Sequence, residues 1–90
     1  MTITFSGDYQ RDADRVAVSF ETFVNGTRVV CKIAEATLED WFENGDSLEV
    51  FRKHQKTIEG LTERIIEKRH SIPQNPLFIT YDDIEAASHW

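Results

Sequence analysis

Ninety residues with a net charge of −6, 29% charged and 40% apolar side chains, describe a folding chain with room for one modest core, so residues 1–90 are expected to form a single domain. The acidic balance argues against gripping nucleic acid or an anionic membrane. No apolar run is long enough for a membrane-spanning helix, and the opening MTITFSGDYQ lacks the pattern of an export signal, so the expected setting is cytoplasmic. One cysteine and three scattered histidines offer neither an internal disulfide nor metal-ligand spacing, and no cofactor motif is present.

Ile3 and Phe5 alternate with Thr2, Thr4 and Ser6, which predicts a first strand over residues 2–6 closed by Gly7-Asp8. Residues 7–14, GDYQRDAD, have loop composition, with Tyr9 left to pack. From Arg15 to Ala34 two alternating runs meet at Asn25-Gly26, the dipeptide that most strongly signals a two-residue hairpin turn. That turn sets the register. Val18 faces Ile33, Phe20 faces Cys31 and Thr22 faces Val29 on an apolar side; Ala17 with Ala34, Ser19 with Lys32, Glu21 with Val30 and Phe23 with Arg28 form a mixed side.

After Ala34 the period lengthens to about 3.6. Leu38, Trp41 and Phe42 predict a buried stripe on a short helix over residues 36–44, with Thr37 and Asp40 as a weak capping pair and Asn44-Gly45 as its end. Asp46, with Glu49 three residues on, caps a long amphipathic helix over 47–69, its stripe formed by Leu48, Phe51, Ile58, Leu61, Ile65 and Ile66. Ser71-Ile72-Pro73 stops it. Gly60 lies opposite that stripe, either as a tolerated surface glycine or as a contact with another chain. Pro76 introduces a last strand, residues 77–81, with Leu77, Ile79 and Tyr81 on one face and Phe78 on the other; Asp82 or Asp83 then caps one frayed turn carrying Ile84 and Trp90.

Chemistry-bearing residues are few. Cys31 lies beside Phe20 on the apolar side, where burial raises a thiol's pKa and silences it. His54 flanks the helix stripe, His70 sits near the helix end beside its dipole, and His89 is in the tail, so no histidine pair shares a helical face. Six acids, Glu35, Glu39, Asp40, Glu43, Asp46 and Glu49, precede Arg52, Lys53 and Lys56 with no intervening base, which places an acidic patch beside a basic one.

The run FVNGTRVVCKIAEATLEDWF, then FRKHQ at Phe51 to Gln55 and Ile58-Glu59, resembles a short bacterial family, domain of unknown function 1488. Ile3-x-Phe5, Val18-x-Phe20, Cys31-x-Ile33 and Leu38-x-Asp40-x-Phe42 carry the resemblance, which spans nearly the whole chain. Ala34 stands where that pattern has a capping serine. The resemblance implies a compact cytoplasmic α+β protein and brings no catalytic residues.

The reading is an α+β fold in βββααβ order, a largely antiparallel four-stranded sheet with two helices on one face. The function it favours is a non-enzymatic interaction or regulatory module. Such a module would bind a protein, or a second copy of itself, through the acidic residues Glu39, Asp40 and Glu43 or through Phe23, Val30 and Phe78 on the second sheet face. The alternative is a small hydrolytic or transfer enzyme that sets Asp82, Asp83 and a histidine in an intersubunit cleft. Nucleic-acid binding through Arg52, Lys53 and Lys56 runs against the overall charge.

Overall fold

The computed structural model describes residues 1–12, 16–69 and 74–89. The chain runs β1 (Ile3–Asp12), β2 (Ala17–Val24), β3 (Thr27–Ala34), α1 (Glu35–Trp41), α2 (Ser47–Lys53), α3 (Gln55–Arg69), β4 (Leu77–Ile79) and α4 (Tyr81–Ser88). The four strands form one sheet in the order β1-β2-β3-β4. The fold is α+β as expected, but the order is βββαααβα and the sheet is mixed. β4 pairs parallel to β3, Cys31 opposite Leu77 and Ile33 opposite Ile79, because three helices intervene before the chain returns to the edge.

The hairpin has the register set by its turn. Val18 pairs with Ile33, Phe20 with Cys31, Thr22 with Val29 and Phe23 with Arg28. Asn25 at φ 52° and Gly26 at φ 85° both occupy the left-handed region that a primed two-residue turn requires. Asn25 also anchors β1: its Oδ1 accepts from Thr2 N at 2.9 Å, and its N–H donates to Thr2 O at 2.8 Å.

Residues 7–12, read as loop, belong instead to β1. Phe5 pairs with Thr22 and Tyr9 with Phe20, so Ser6, Gly7 and Asp8 bulge out opposite Glu21, with Gly7 at φ 87°. The bulge interrupts the alternation that marks a strand. Pairing resumes beyond it, and the Tyr9 ring lies 4.9 Å from that of Phe51.

The helix expected over 36–44 is shorter, Glu35–Trp41, and its N-cap is Ala34 with no side-chain bond; Thr37 is buried within it rather than capping it. Backbone pairing stands in for one cap, since Glu35 N donates to Val16 O at 2.9 Å. Asp46 caps α2 as expected, accepting from Glu49 N at 3.2 Å. The long helix over 47–69 is two helices broken at His54, whose backbone departs to φ −108°, ψ 15°. His54 is held off the helix axis: its ring stacks on Phe42 at 4.7 Å and bonds Glu43 at 2.8 Å.

Tyr81 is not the end of a strand but the first residue of α4. The cap is Thr80, in a reciprocal box with Asp83 (each bond 3.1 Å), and not Asp82 or Asp83. Nor is the segment one frayed turn. It is an eight-residue helix whose Ile84 and Ala87 are buried. Ser71-Ile72-Pro73, His70 and Trp90 lie outside the described residues, as does Arg15 at the expected start of the hairpin.

All four helices bury their apolar side chains against one face of the sheet. Leu38, Val50, Phe51, Ile58, Ile66 and Ile84 meet Val18, Phe20, Val29, Cys31, Ile33, Leu77 and Ile79 in a single cluster. Phe51 is fully buried at its centre, 5.1 Å from Phe20. Trp41 and Phe42 pack at the rim of this cluster, as their spacing predicts.

Candidate functional site

The opposite face of the sheet carries none of this cluster's buried residues; Ala17 and Ser19, both buried on it, lie outside the cluster. Four rows of side chains cross it. Asp12, Ala17 and Ala34 form the first; Gln10, Ser19, Lys32 and Phe78 the second; Glu21 and Val30 the third; Thr4, Phe23 and Arg28 the fourth. Ser19 is the small residue inside the rows, Ala17 and Ala34 are small at one end, and long side chains stand around them. The result is an open hollow of about 560 Å³ bordered by Gln10, Asp12, Glu21, Arg28, Val30 and Lys32. A smaller one of about 270 Å³ lies between Ala17, Ala34, Thr37, Phe78 and Tyr81.

Across the larger hollow Lys32 on β3 pairs with Asp12 on β1. Lys32 is opposite Ser19 and Asp12 opposite Ala17, so the bridge crosses β2 above both small residues. This is why Ala17 and Ser19 are only 4% and 8% exposed on a face without helices. Glu21 and Arg28 pair further along, and that guanidinium, helped by Ser6, holds the Glu21 carboxyl below its ordinary range.

Phe23 and Val30 lie diagonally close, both half-buried, and Phe78 is 47% exposed beside Lys32. The side chain of Asn75 positions that last strand: its Oδ1 accepts from Val30 N at 3.0 Å and its Nδ2 donates to Arg28 O at 3.3 Å, extending the edge of β3 just ahead of β4. Neither residues 7–12 nor α4 folds over this face; the former are strand and the latter packs against α3.

The acidic run is mostly engaged within the chain. Glu43 accepts from His54 and from Lys53, and these bonds hold its carboxyl below the usual carboxylate range. Arg11 does the same for Asp46, with the Glu49 N–H adding to it, and Arg11 also lies 3.6 Å from Glu35. Glu49 pairs with Arg52, the first residue of the basic cluster. Glu39 and Asp40 are exposed on α1.

The structure does not bring His54 to Asp82 or Asp83. His54 precedes α3 and bonds Glu43, while Asp83 reaches Arg69 at the other end of that helix, 3.5 Å away. Fifteen residues of helix separate the two ends by roughly 22 Å. Burial alone pushes the Cys31 thiol up to about 12, so at neutral pH it is a packed side chain. Among the described residues no cluster of three or more His, Cys, Asp or Glu forms a metal site. No helix there is long and apolar enough to cross a membrane.

Two residues bordering these hollows escape a reading of the sequence. Asp12 falls in a stretch of loop composition, which hides its bridge to Lys32. Tyr81 reads as strand, although Thr80-x-x-Asp83 is a capping-box pattern that marks a helix start.

A family model described as Protein of unknown function (DUF1488) matches residues 3–79. The chain belongs to the DUF1488 family. A crystal structure of a protein of unknown function from the DUF1488 family of Shewanella loihica PV-4 has the same fold: TM-score 0.72 at 23% identity, over 88% of this chain and 94% of that one. No curated protein matches the chain. Membership in DUF1488 brings no established activity with it, so the reading of this face rests on its own geometry.

Proposed function

We propose that this chain is a non-enzymatic protein-interaction module, one domain across residues 1–90, that docks a protein partner on the helix-free face of its sheet. The observation that carries this reading is Phe78, 47% exposed, on a face shared with Phe23 and Val30 and covered by no described helix. An antiparallel face left to water alternates to polar residues, and a cluster of aromatic and branched side chains there marks a contact surface. The hollow supports a surface rather than a small molecule as occupant: it is open, and two ion pairs already occupy its charges. The acidic run supports docking less well, because Glu43 is already bonded to His54 and Lys53, leaving Glu39 and Asp40 as its exposed acids. A cytoplasmic setting fits a chain whose one cysteine is a buried thiol.

A photo-crosslinking side chain placed at Phe78, and in a second variant at the exposed Glu67 of α3, tests this in the native cell. Protein adducts from position 78 and none from position 67 support the docking face. Adducts from 67 alone, or from neither, overturn it.

A further inference from the structure

Resting on that docking role, we infer that the occupant of the helix-free face is a second copy of this chain, packed sheet on sheet about a two-fold axis along the seam between β2 and β3. The charges are sorted across the strands. Asp8, Asp12 and Glu21 stand on β1 and β2, Arg28 and Lys32 on β3. A two-fold axis parallel to the strands reverses the order of strands and keeps position along them, so β3 overlies the partner's β2, and β4 overlies the partner's β1. Bases then meet acids in both directions at once, so that the Lys32–Asp12 and Arg28–Glu21 pairs within each chain widen into one network across the contact. An axis across the strands would set acid on acid, an arrangement that like-charge repulsion opposes.

The same operation matches the rows. Arg28, opposite Phe23 in its own chain, lies over the partner's Phe23, a guanidinium on an aromatic face. Lys32 lies over the partner's Ser19, between the partner's Asp12 and Glu21, while Val30 covers the stem of the partner's Glu21. Phe78 comes down on the partner's Gln10, in the row that Lys32 and Ser19 share. Ser19 in the larger hollow and Ala17 and Ala34 in the smaller keep the face low there, and the second sheet rests on the Lys32–Asp12 bridge that covers Ala17 and Ser19.

Size sets the strength of the pairing. Four strands about 4.8 Å apart, with eight-residue hairpin strands at about 3.4 Å per residue, give a face of roughly 500 Å² per partner, at the low end of specific interfaces, so association is expected toward the upper end of the concentration range. Strands related by such an axis run nearly aligned, the common geometry of packed sheets.

Sedimentation of the wild-type chain from micromolar to submillimolar concentration reads the association directly: a mass rising to twice that of the chain is expected, and a monomer throughout overturns the self-pairing. That failure is separate from failure of the docking role, because adducts of other proteins at position 78 would stand beside a monomeric wild type. The charge layout has its own test. Asp12→Lys with Glu21→Lys leaves one variant with Asp8 as its one acid among these charges, and Arg28→Glu with Lys32→Glu leaves the other with no base among them. Each alone is expected to be monomeric and the equimolar mixture to be a heterodimer; dimers from either variant alone, or none from the mixture, overturn the two-fold arrangement. Should circular dichroism show either variant unfolded, the decision passes to Phe78→Asp and Lys56→Glu. Loss of the dimer with the first and its retention with the second support the inference, and any other pattern overturns it.

Discussion

Lys32 reaches across β2 to Asp12, and the ion pair roofs Ala17 and Ser19. Both partners are well shielded, at 22% and 15% side-chain exposure, so this bridge differs from the exposed pairs Arg52–Glu49 and Lys53–Glu43. Removing one member strips the other of its main countercharge and opens the floor to water. Lys32→Ala is expected to destabilise the chain by about 1–2 kcal/mol, read as a lower urea midpoint. The double change Lys32→Met with Asp12→Leu should recover most of that loss, because the floor stays covered and no charge is stranded.

The bridge also shows what the sequence made legible and what it hid. Every pair from Ala17–Ala34 to Phe23–Arg28 followed from Asn25-Gly26, because a two-residue turn leaves one register. The far half of β1 did not follow, since the bulge at Ser6, Gly7 and Asp8 breaks the two-residue period and makes Asp12 read as loop. With Asp12 outside the sheet, its bridge to Lys32 could not be seen. The break at His54 contains neither glycine nor proline, and it depends on contacts with Phe42 and Glu43 that no local pattern announces. The parallel pairing of β4 is likewise a tertiary outcome. Phe23, Val30 and Phe78 are legible as one face because that needs only the hairpin register and strand alternation.

Gly26 stands at φ 85° with nothing near the position a Cβ would take, so the strain of a substitution comes from the backbone alone. Gly26→Ala is expected to cost about 1 kcal/mol or more in equilibrium unfolding, with the sheet retained by circular dichroism. A neutral result would mean that the turn is not of the primed kind.

Cys31 is fully buried and its thiol is pushed up to about 12. Labelling by a thiol reagent at neutral pH should therefore proceed only as fast as the chain opens, and rise sharply in denaturant. Rapid stoichiometric labelling of the native chain would contradict that burial.

Three carboxylates carry a pH dependence of one sign. Glu43, bonded by His54 and then Lys53, and Glu21, bonded by Arg28, sit below an ordinary value of 4.5; Asp46, bonded by Arg11, sits below 3.8. A carboxyl whose folded value is depressed stabilises the fold above its unfolded value, and that contribution is lost as pH falls through the folded one. Urea midpoints should hold steady down to the ordinary carboxylate range and fall below it. Glu43→Gln should make that fall shallower, and an unchanged slope would remove Glu43 from the account.

Gly60 lies within α3, exposed, and no atom within 4 Å would meet an added Cβ. Alanine there restricts the unfolded chain and suits the helix, so Gly60→Ala is expected to stabilise by about 1 kcal/mol, a rise in melting temperature of roughly 4–8 °C for a domain of this size. The helices pack on the face of the sheet opposite Phe23, Val30 and Phe78, so the same substitution should leave sedimentation unchanged at every concentration. A shift in association with Gly60→Ala, and none with Phe78→Asp, would move the contact surface to the helix layer. A gain in stability with unaltered association leaves Gly60 as a solvent-facing glycine and the contact on the strands.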